Sequence, residues 1–156
     1  TLLLNRVHLA PGEAIFLGPG NLHAYLLGSG VEVMGASDNV VRGGLTPKHV
    51  DVDELLGVLR FEPLSNPVVR PVEVGEGRYR YPTPDAPFEL WRFDVDGPLP
   101  HTATGRELLV CTDGEASPLS RGQAAYLAPG DDVEFDGFCT VYRVAERRAS
   151  SGVIEG

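Results

Sequence analysis

The sequence has few of the residues that mark several large classes of protein. It holds only two cysteines in 156 residues, Cys111 and Cys139, and their spacing matches neither a disulfide framework nor a cysteine-based metal site. No apolar run approaches the roughly 18 residues that span a bilayer. The first residues do not resemble a signal peptide. We therefore expect a reduced, cytoplasmic protein that does not enter a membrane.

Positive charge is also scarce. Lys and Arg number 13 against 22 Asp and Glu, which gives a formal net charge of −9. Surfaces that bind DNA or RNA are basic, and anionic membranes attract basic segments. We therefore expect neither nucleic acid nor membrane as a partner. A small anionic ligand remains compatible with local cations such as Arg42 and Lys48.

Glycine and proline are abundant instead, with 19 and 13 copies. Turn signals fall every 8–10 residues through 2–42, between short apolar segments, which is typical of a sandwich or barrel. The segment 51–59 is the best helix candidate, with Asp51 as its N-cap. A proline-rich connector is predicted over 63–87, strands over 88–145, and a polar tail over 146–156. Because Thr1 leads directly into an apolar run, we expect the chain to be part of a longer protein.

One strand-and-turn unit occurs twice. The segment GEAIFLGPG at 12–20 matches GQAAYLAPG at 122–130, with a constant offset of 110. Each copy consists of a glycine, an apolar strand and a turn that ends in Pro-Gly. Repetition at this distance favours two related β-domains over a short-period solenoid.

The second copy of the repeat comes after a degenerate motif in the sequence. Between His101 and Gly114 the spacing His-x-Ala-x3-Glu-x6-Gly resembles the cupin pattern His-x-His-x3–4-Glu-x6-Gly, with Ala103 replacing a histidine. A later cupin histidine corresponds to His23 in the first copy but to Val133 in the second. A metal needs several inward-facing donors. We therefore expect a C-terminal jelly roll without a metal site, in which His101 is a residual surface or core histidine.

Two long blocks in the first third of the chain resemble a known enzyme family. PGEAIFLGPGNLHAYL and VEVMGASDNVVRGGLTPK, followed by the short helix, are similar to the C-terminal part of type I mannose-6-phosphate isomerases. The resemblance implies a mainly β fold: a cupin-type C-terminal jelly roll, the last strands of a preceding incomplete jelly roll at 1–62, and one helix. It also implies a zinc-dependent aldose–ketose isomerase that interconverts mannose 6-phosphate and fructose 6-phosphate.

The resemblance also implies roles for individual residues. His23 corresponds to a zinc ligand, and Arg42 to the arginine that stabilises a negatively charged enediolate. Asp38 is expected to orient that arginine or to relay a proton, and Lys48 to hold the anionic end of a phosphorylated hexose. Tyr25 and Glu32 are expected to line the sugar pocket.

The sequence departs from this family in one important respect. The other zinc ligands of the family come from a Gln-x-His pair and a glutamate that precede these blocks, and Gln123 is the only glutamine here. We therefore expect a chain that carries half an active site, binds zinc weakly or not at all, and is inactive alone. An incomplete jelly roll also leaves an open sheet edge, which favours self-association.

Two other functions are compatible with parts of the sequence. A non-catalytic cupin that binds sugar or acts as a regulatory module is one alternative. A metal-dependent cupin oxygenase is less favoured, because such a site needs clustered histidines in one jelly roll. The four histidines do not have that spacing: His8, His23, His49 and His101.

Overall fold

A computed structural model describes residues 4–36, 40–44, 46–64 and 66–147. The chain forms two compact units, Thr1–Arg70 and Pro71–Gly156. Within the described ranges, no helix is long and apolar enough to cross a membrane.

The first unit contains little regular structure. Its elements are strand β1 (Ala14–Ile15), helix α1 (Val52–Val58) and strand β2 (Val68–Val69). β1 and β2 pair in antiparallel fashion. Beside this pair, Arg70 Nε donates a hydrogen bond to Glu13 Oε1 over 2.9 Å. This short ladder joins the beginning of the unit to its end.

Helix α1 forms where the sequence predicted a helix over 51–59. Asp51 has extended backbone angles, and its Oδ1 accepts a hydrogen bond of 3.0 Å from the backbone N–H of Glu54. The acidic side chains of Asp53 and Glu54 lie in the first turn, where the helix dipole favours negative charge. The helix ends before Leu59, which returns to extended geometry.

The strands predicted over 2–42 largely do not form. Among the described residues of that segment, only Ala14–Ile15 is a strand, and no described residue of the first unit is buried. An isolated strand is unstable because its N–H and C=O groups need a neighbouring strand. β1 has such a neighbour in β2, whereas the apolar segments at 23–27 and 31–34 do not pair.

The second unit is built from antiparallel strands. Its elements are β3 (Val72–Gly75), β4 (Arg78–Tyr81), β5 (Phe88–Asp96), β6 (Leu99–Thr102), β7 (Glu107–Ser117), β8 (Leu119–Ser120), β9 (Ala124–Leu127) and β10 (Asp132–Glu146). The strand order is β3-β4-β5-β10-β7-β8, with β6 also paired to β10 and β9 to β7. The mainly β, jelly-roll-like architecture predicted from the sequence is confirmed.

β10 is the central strand of this unit. Its first four residues pair with β6, and the remainder lies between β5 and β7. The register with β7 shifts between Thr140 and Val141, which marks a bulge. The extra residue of this bulge is Thr112 of β7, so it is β7 that bends where it pairs with β10.

The core of the second unit follows the alternation of these strands. Side chains at every second position of β5, β7 and β10 point inward, and most of them are apolar. The buried cluster consists of Phe93, Val95, Leu99, Leu109, Cys111, Ala116, Leu119, Phe135, Cys139 and Val141. Two inward positions carry charge instead: Glu107 and Arg143.

The predicted division of the chain differs from the observed one. The proline-rich stretch 63–87 contains β2, β3 and β4, and the second unit begins at Pro71 rather than near residue 88. Pro71 and Pro82 flank these strands rather than interrupt them, so they leave the ladder intact. Arginine–aromatic contacts join β4 to β5, since the guanidinium of Arg92 lies 4.4 Å from the centre of the Tyr79 ring.

The two copies of the repeat share one local geometry. Asn21 Oδ1 accepts a hydrogen bond of 3.0 Å from the N–H of Gly18, and the equivalent Asp131 Oδ2 accepts one of 2.8 Å from Ala128. Gly20 and Gly130 both have positive φ. The repeat therefore encodes the same turn in both units, although only the second copy extends into a full strand.

Gly114 provides a test of the packing between β7 and β10. It has φ +74°, and a Cβ there would overlap the backbone of Phe138 and Cys139. We expect Gly114→Ala to lower the free energy of unfolding by about 2–5 kcal/mol, through left-handed backbone strain and overpacking. Gly105→Ala is the matched control, because a Cβ at Gly105 meets nothing within 4 Å. Equal urea midpoints for the two variants would contradict this account.

Candidate functional site

The imidazole of His23 is oriented by a backbone carbonyl. His23 Nδ1 lies 3.1 Å from the carbonyl oxygen of Asn21. A carbonyl oxygen can only accept, so Nδ1 carries the proton and donates this bond. Nε2 of the neutral ring therefore keeps its lone pair. Histidines that bind metals are commonly held in this way, through the ring nitrogen that does not bind the metal.

The turn that precedes His23 is fixed by the end of helix α1. Gly20 has φ +82°, and a Cβ at this position would lie 2.5 Å from the carbonyl oxygen of Val58. The backbone N–H of Arg60 also donates a hydrogen bond of 3.0 Å to the carbonyl oxygen of Gly20. Only glycine combines this conformation with so close an approach. The end of helix α1 therefore fixes the position of the turn that leads into His23.

His23, Tyr25 and Glu32 form one cluster. The rings of His23 and Tyr25 meet edge to face, with 5.9 Å between their centres. The pKa of Tyr25 is raised above its ordinary value by partial burial and then by the nearby carboxylate of Glu32. Tyr25 is nevertheless 76% exposed. The cluster thus presents an imidazole, a phenol and a carboxylate to solvent.

The segment that carries Arg42 packs beside this cluster. A Cβ at Gly43 would lie only 2.5 Å from Leu22 Cδ1, so the backbone after Arg42 lies against the residue before His23. Arg42 itself is partly buried. The structure therefore brings the Arg42 segment next to the His23 turn.

Among the described residues, Lys48 is the predicted site residue for which no contact with the cluster is seen. Lys48 is exposed, and its backbone N–H donates a hydrogen bond of 3.2 Å to Thr46 Oγ1. Asp38 lies outside the described residues. The contact that locates the Arg42 segment therefore has no counterpart for Lys48 among the described residues.

The described residues do not form a metal site by themselves. In those parts of the chain, no three His, Cys, Asp or Glu side chains are grouped closely enough to hold an ion. His23 supplies one free nitrogen, whereas catalytic zinc sites use three protein ligands. The donor set of the described residues therefore does not fit zinc.

The second unit contains a buried ionic cluster that the sequence did not predict. Glu107 Oε2 accepts hydrogen bonds from His101 Nε2 (2.7 Å) and Arg143 Nε (2.6 Å). Glu107 Oε1 accepts from a second Arg143 N–H and from the backbone N–H of Thr104. Burial alone would raise the pKa of Glu107, but Arg143 and then His101 outweigh it, and the pKa is lowered. The sequence predicted His101 to be a residual surface or core histidine, and that prediction did not include its hydrogen bond with Glu107 or the pairing of Glu107 with Arg143.

A detectable signal for this cluster was present in the sequence. Glu107 and Arg143 each occupy an inward position of a strand whose other inward residues are mostly apolar. Charged residues are almost never fully buried unless they are paired. Two such positions on neighbouring strands therefore indicate a buried ion pair.

The second unit also contains an open cavity of about 380 Å³. Charged and aromatic side chains line it, including Arg80, Tyr81, Glu89 and Arg147. None of the residues predicted for a functional site lies in its wall.

The known proteins whose sequences resemble this chain carry the same name. The chain is 42% identical over 136 residues to mannose-6-phosphate isomerase of Salmonella typhimurium, which covers 83% of this chain and 34% of that protein. It is 40% identical over 133 residues to the Escherichia coli enzyme, with the same shares covered. A probable mannose-6-phosphate isomerase of Caenorhabditis elegans is 38% identical over 146 residues, or 85% of this chain and 35% of that one. No family model matches the chain.

Solved structures agree with the sequence comparison. A variant of phosphomannose isomerase from Salmonella typhimurium has a TM-score of 0.62 and 29% identity, over 72% of this chain and 32% of that chain. The same enzyme bound to fructose 6-phosphate and zinc has a TM-score of 0.57 and 29% identity, over 74% and 32%.

The chain spans about a third of the length of the curated relatives it matches. The resemblance inferred from its first third is confirmed. The chain is a relative of the mannose-6-phosphate isomerases, in sequence and in structure, over that third of their length.

Proposed function

We propose that this chain forms part of a zinc-dependent mannose-6-phosphate isomerase, which interconverts mannose 6-phosphate and fructose 6-phosphate. The observation that carries the proposal is the clustering of His23, Tyr25 and Glu32 beside the segment of Arg42. These residues come from blocks that resemble the isomerase family, and one relative has been solved with fructose 6-phosphate and zinc.

Arg42 is the proposed catalytic cation. Isomerisation of an aldose to a ketose moves a proton between C1 and C2 through an enediolate, whose oxygens gain negative charge. A guanidinium beside those oxygens stabilises the transition state more than the ground state. Arg42 is partly buried, which reduces solvent screening of its charge. Asp38 is proposed to orient Arg42 or to relay the proton.

Three residues are proposed to bind the substrate. Lys48, the only lysine of the sequence, would pair with the phosphate group. Tyr25 and Glu32 would contact sugar hydroxyls, for which the phenol and the carboxylate offer a donor and acceptors. A phenol is protonated at neutral pH, and the pKa of Tyr25 is shifted further upward, so its hydroxyl can donate.

His23 is proposed to supply one zinc ligand, through Nε2, in the complete protein. In the family, zinc would act as a Lewis acid toward the oxygens of the substrate. The donor set of the described residues does not fit that ion. The proposed roles of Arg42, Lys48, Tyr25 and Glu32 are therefore derived without it.

The first unit is proposed to pack against another polypeptide. Many of its large apolar side chains are exposed, including Tyr25, Leu26, Leu27, Met34 and Phe61. A patch of this kind normally marks an interaction surface. In relatives the remaining two-thirds of the protein would supply the covering chain, and a chain tested alone would associate with itself.

Cytoplasmic location is also proposed, since both cysteines are free thiols.

A non-catalytic sugar-binding or regulatory module is the alternative. It would retain contacts to the sugar phosphate but would not supply the groups that move the proton. The fact that favours it is that, among the described residues, no three potential metal donors are grouped together. The next experiment separates the two functions.

The isomerase proposal is tested with a chimera in which this chain replaces the matching third of the Salmonella typhimurium enzyme. We expect the chimera to convert fructose 6-phosphate to mannose 6-phosphate. Arg42→Ala in the chimera should lower kcat by about 10²–10³, because one oxyanion donor is lost. Arg70→Ala is the control, since Arg70 pairs with Glu13 outside the cluster. A folded chimera that binds the sugar phosphate without turnover would support the binding module instead.

The cluster itself is tested by titration of Tyr25. Glu32→Gln removes a negative charge, so the pKa of Tyr25 should fall toward 10. The ring resonance of isotope-labelled tyrosine reports the titration, and Tyr25→Phe identifies it. Glu54→Gln, on helix α1, is the matched control and should leave the titration unchanged. An unchanged pKa in Glu32→Gln would show that the two side chains do not interact.

Self-association is tested by light scattering coupled to gel filtration. The chain alone should have a mass above 16.8 kDa that rises with concentration. Leu26→Ser/Leu27→Ser should reduce that mass, because both side chains are exposed and apolar. Leu108→Ser, an exposed leucine in the second unit, is the control. A monomer at every concentration would argue against this proposal.

A further inference from the structure

The cavity of the second unit lies where several segments of the chain come together. Its volume of about 380 Å³ is within the range of small-molecule sites. The side chains that line it come from β3, β4, the loop after β4, β5 and the residue that follows β10. One of them, Tyr81, is buried and stacks on Tyr142, with 6.4 Å between the ring centres. The sheet itself therefore forms part of the wall.

Two cations in this wall have no acidic partner. Arg147 Nη2 donates hydrogen bonds to the carbonyl oxygen (2.5 Å) and to Oγ1 (3.0 Å) of Thr83, which are both neutral acceptors. The guanidinium carbon of Arg80 lies 5.9 Å from the centre of the Trp91 ring. The ion pairs formed among the described residues include neither arginine. Two such guanidinium groups on one cavity indicate a place for an external anion.

The acidic side chain of the wall is held by another partner. Glu89 Oε2 accepts a hydrogen bond of 3.2 Å from Trp91 Nε1. Among the residues that line the cavity, two arginines and this one glutamate give a formal charge of +1. The wall therefore attracts a negative ligand, although the chain as a whole carries a net charge of −9.

The composition of the wall indicates which kind of anion fits. A guanidinium can pair with two oxygens of one ligand. Two guanidinium groups therefore match the three terminal oxygens of a phosphate monoester better than the two oxygens of a carboxylate. Much of the remaining wall is apolar, from Val72, Pro82 and Pro84. That surface would contact the organic group attached to the phosphate.

We propose that this cavity is a binding site for a small phosphate monoester, whose phosphoryl group pairs with Arg80 and Arg147 and whose organic group lies against Pro82 and Pro84. Thr83 holds the Arg147 side chain for this role. The proposal does not depend on isomerase activity, because every residue in it belongs to the second unit.

The single tryptophan of the chain reports occupancy of the site. Trp91 contacts both Arg80 and Glu89, so a ligand in the cavity should shift the resonance of its indole N–H, which is the only indole in the sequence. Propyl phosphate is the probe for the full chain, and propanol and sodium chloride at equal ionic strength are the controls. We expect a saturable shift with propyl phosphate and none with either control. A shift that does not saturate, or that sodium chloride reproduces, would overturn the proposal.

Removal of either cation tests the assignment of the wall residues. Arg80→Gln and Arg147→Gln should each weaken the binding of propyl phosphate by about tenfold or more, because a charged hydrogen-bond donor is lost. Glu89→Gln should strengthen binding, because the wall loses its negative charge while an acceptor for the Trp91 N–H remains. Arg121→Gln is the matched control, since Arg121 is exposed in the same unit and does not line the cavity.

The fold and the first unit are controlled separately. Circular dichroism checks each variant, and Arg80→Gln decides the test if Arg147→Gln unfolds, because the Arg80 side chain is exposed. A folded Arg80→Gln variant with unchanged affinity would overturn the proposal. Lys48→Gln, in the first unit, should leave the shift of Trp91 unchanged. Loss of the shift in Lys48→Gln would assign it to the proposed isomerase site and would equally overturn this proposal.

Discussion

Backbone pairing with a neighbouring strand is the interaction on which this structure depends. In the second unit, β10 pairs with β6, β5 and β7 in turn, and the inward residues of these strands form the core. In the first unit, only β1 and β2 pair among the described residues. The contrast follows from the neighbours that each strand has rather than from its own composition, since both units carry similar apolar segments.

The repeat explains how the two units differ. At the offset of 110, His23 corresponds to Val133, which pairs with His101 on β6. The turn before His23 forms as it does in the second unit, because its hydrogen bonds are local. Among the described residues, the segment after that turn pairs with no strand, whereas Val133 pairs with His101 of β6.

Local patterns were the part of the fold that could be predicted. The helix at Val52–Val58 follows from its N-cap, and the turns follow from glycines that need positive φ. The Glu107–Arg143 pair was missed because its partners lie 36 residues apart and meet only through the pairing of β7 with β10. In the candidate site, the motif indicated His23, Tyr25 and Glu32, but the packing of Gly43 on Leu22 required coordinates.

The hydrogen bond from His23 Nδ1 to the carbonyl of Asn21 has an evolutionary consequence. A main-chain oxygen is present whatever amino acid occupies position 21, so replacing that side chain does not delete the acceptor. Only a change in the path of the backbone can move it. Sequences that diverge around this turn can therefore retain the same tautomer of the imidazole, provided that the glycine geometry at position 20 is inherited.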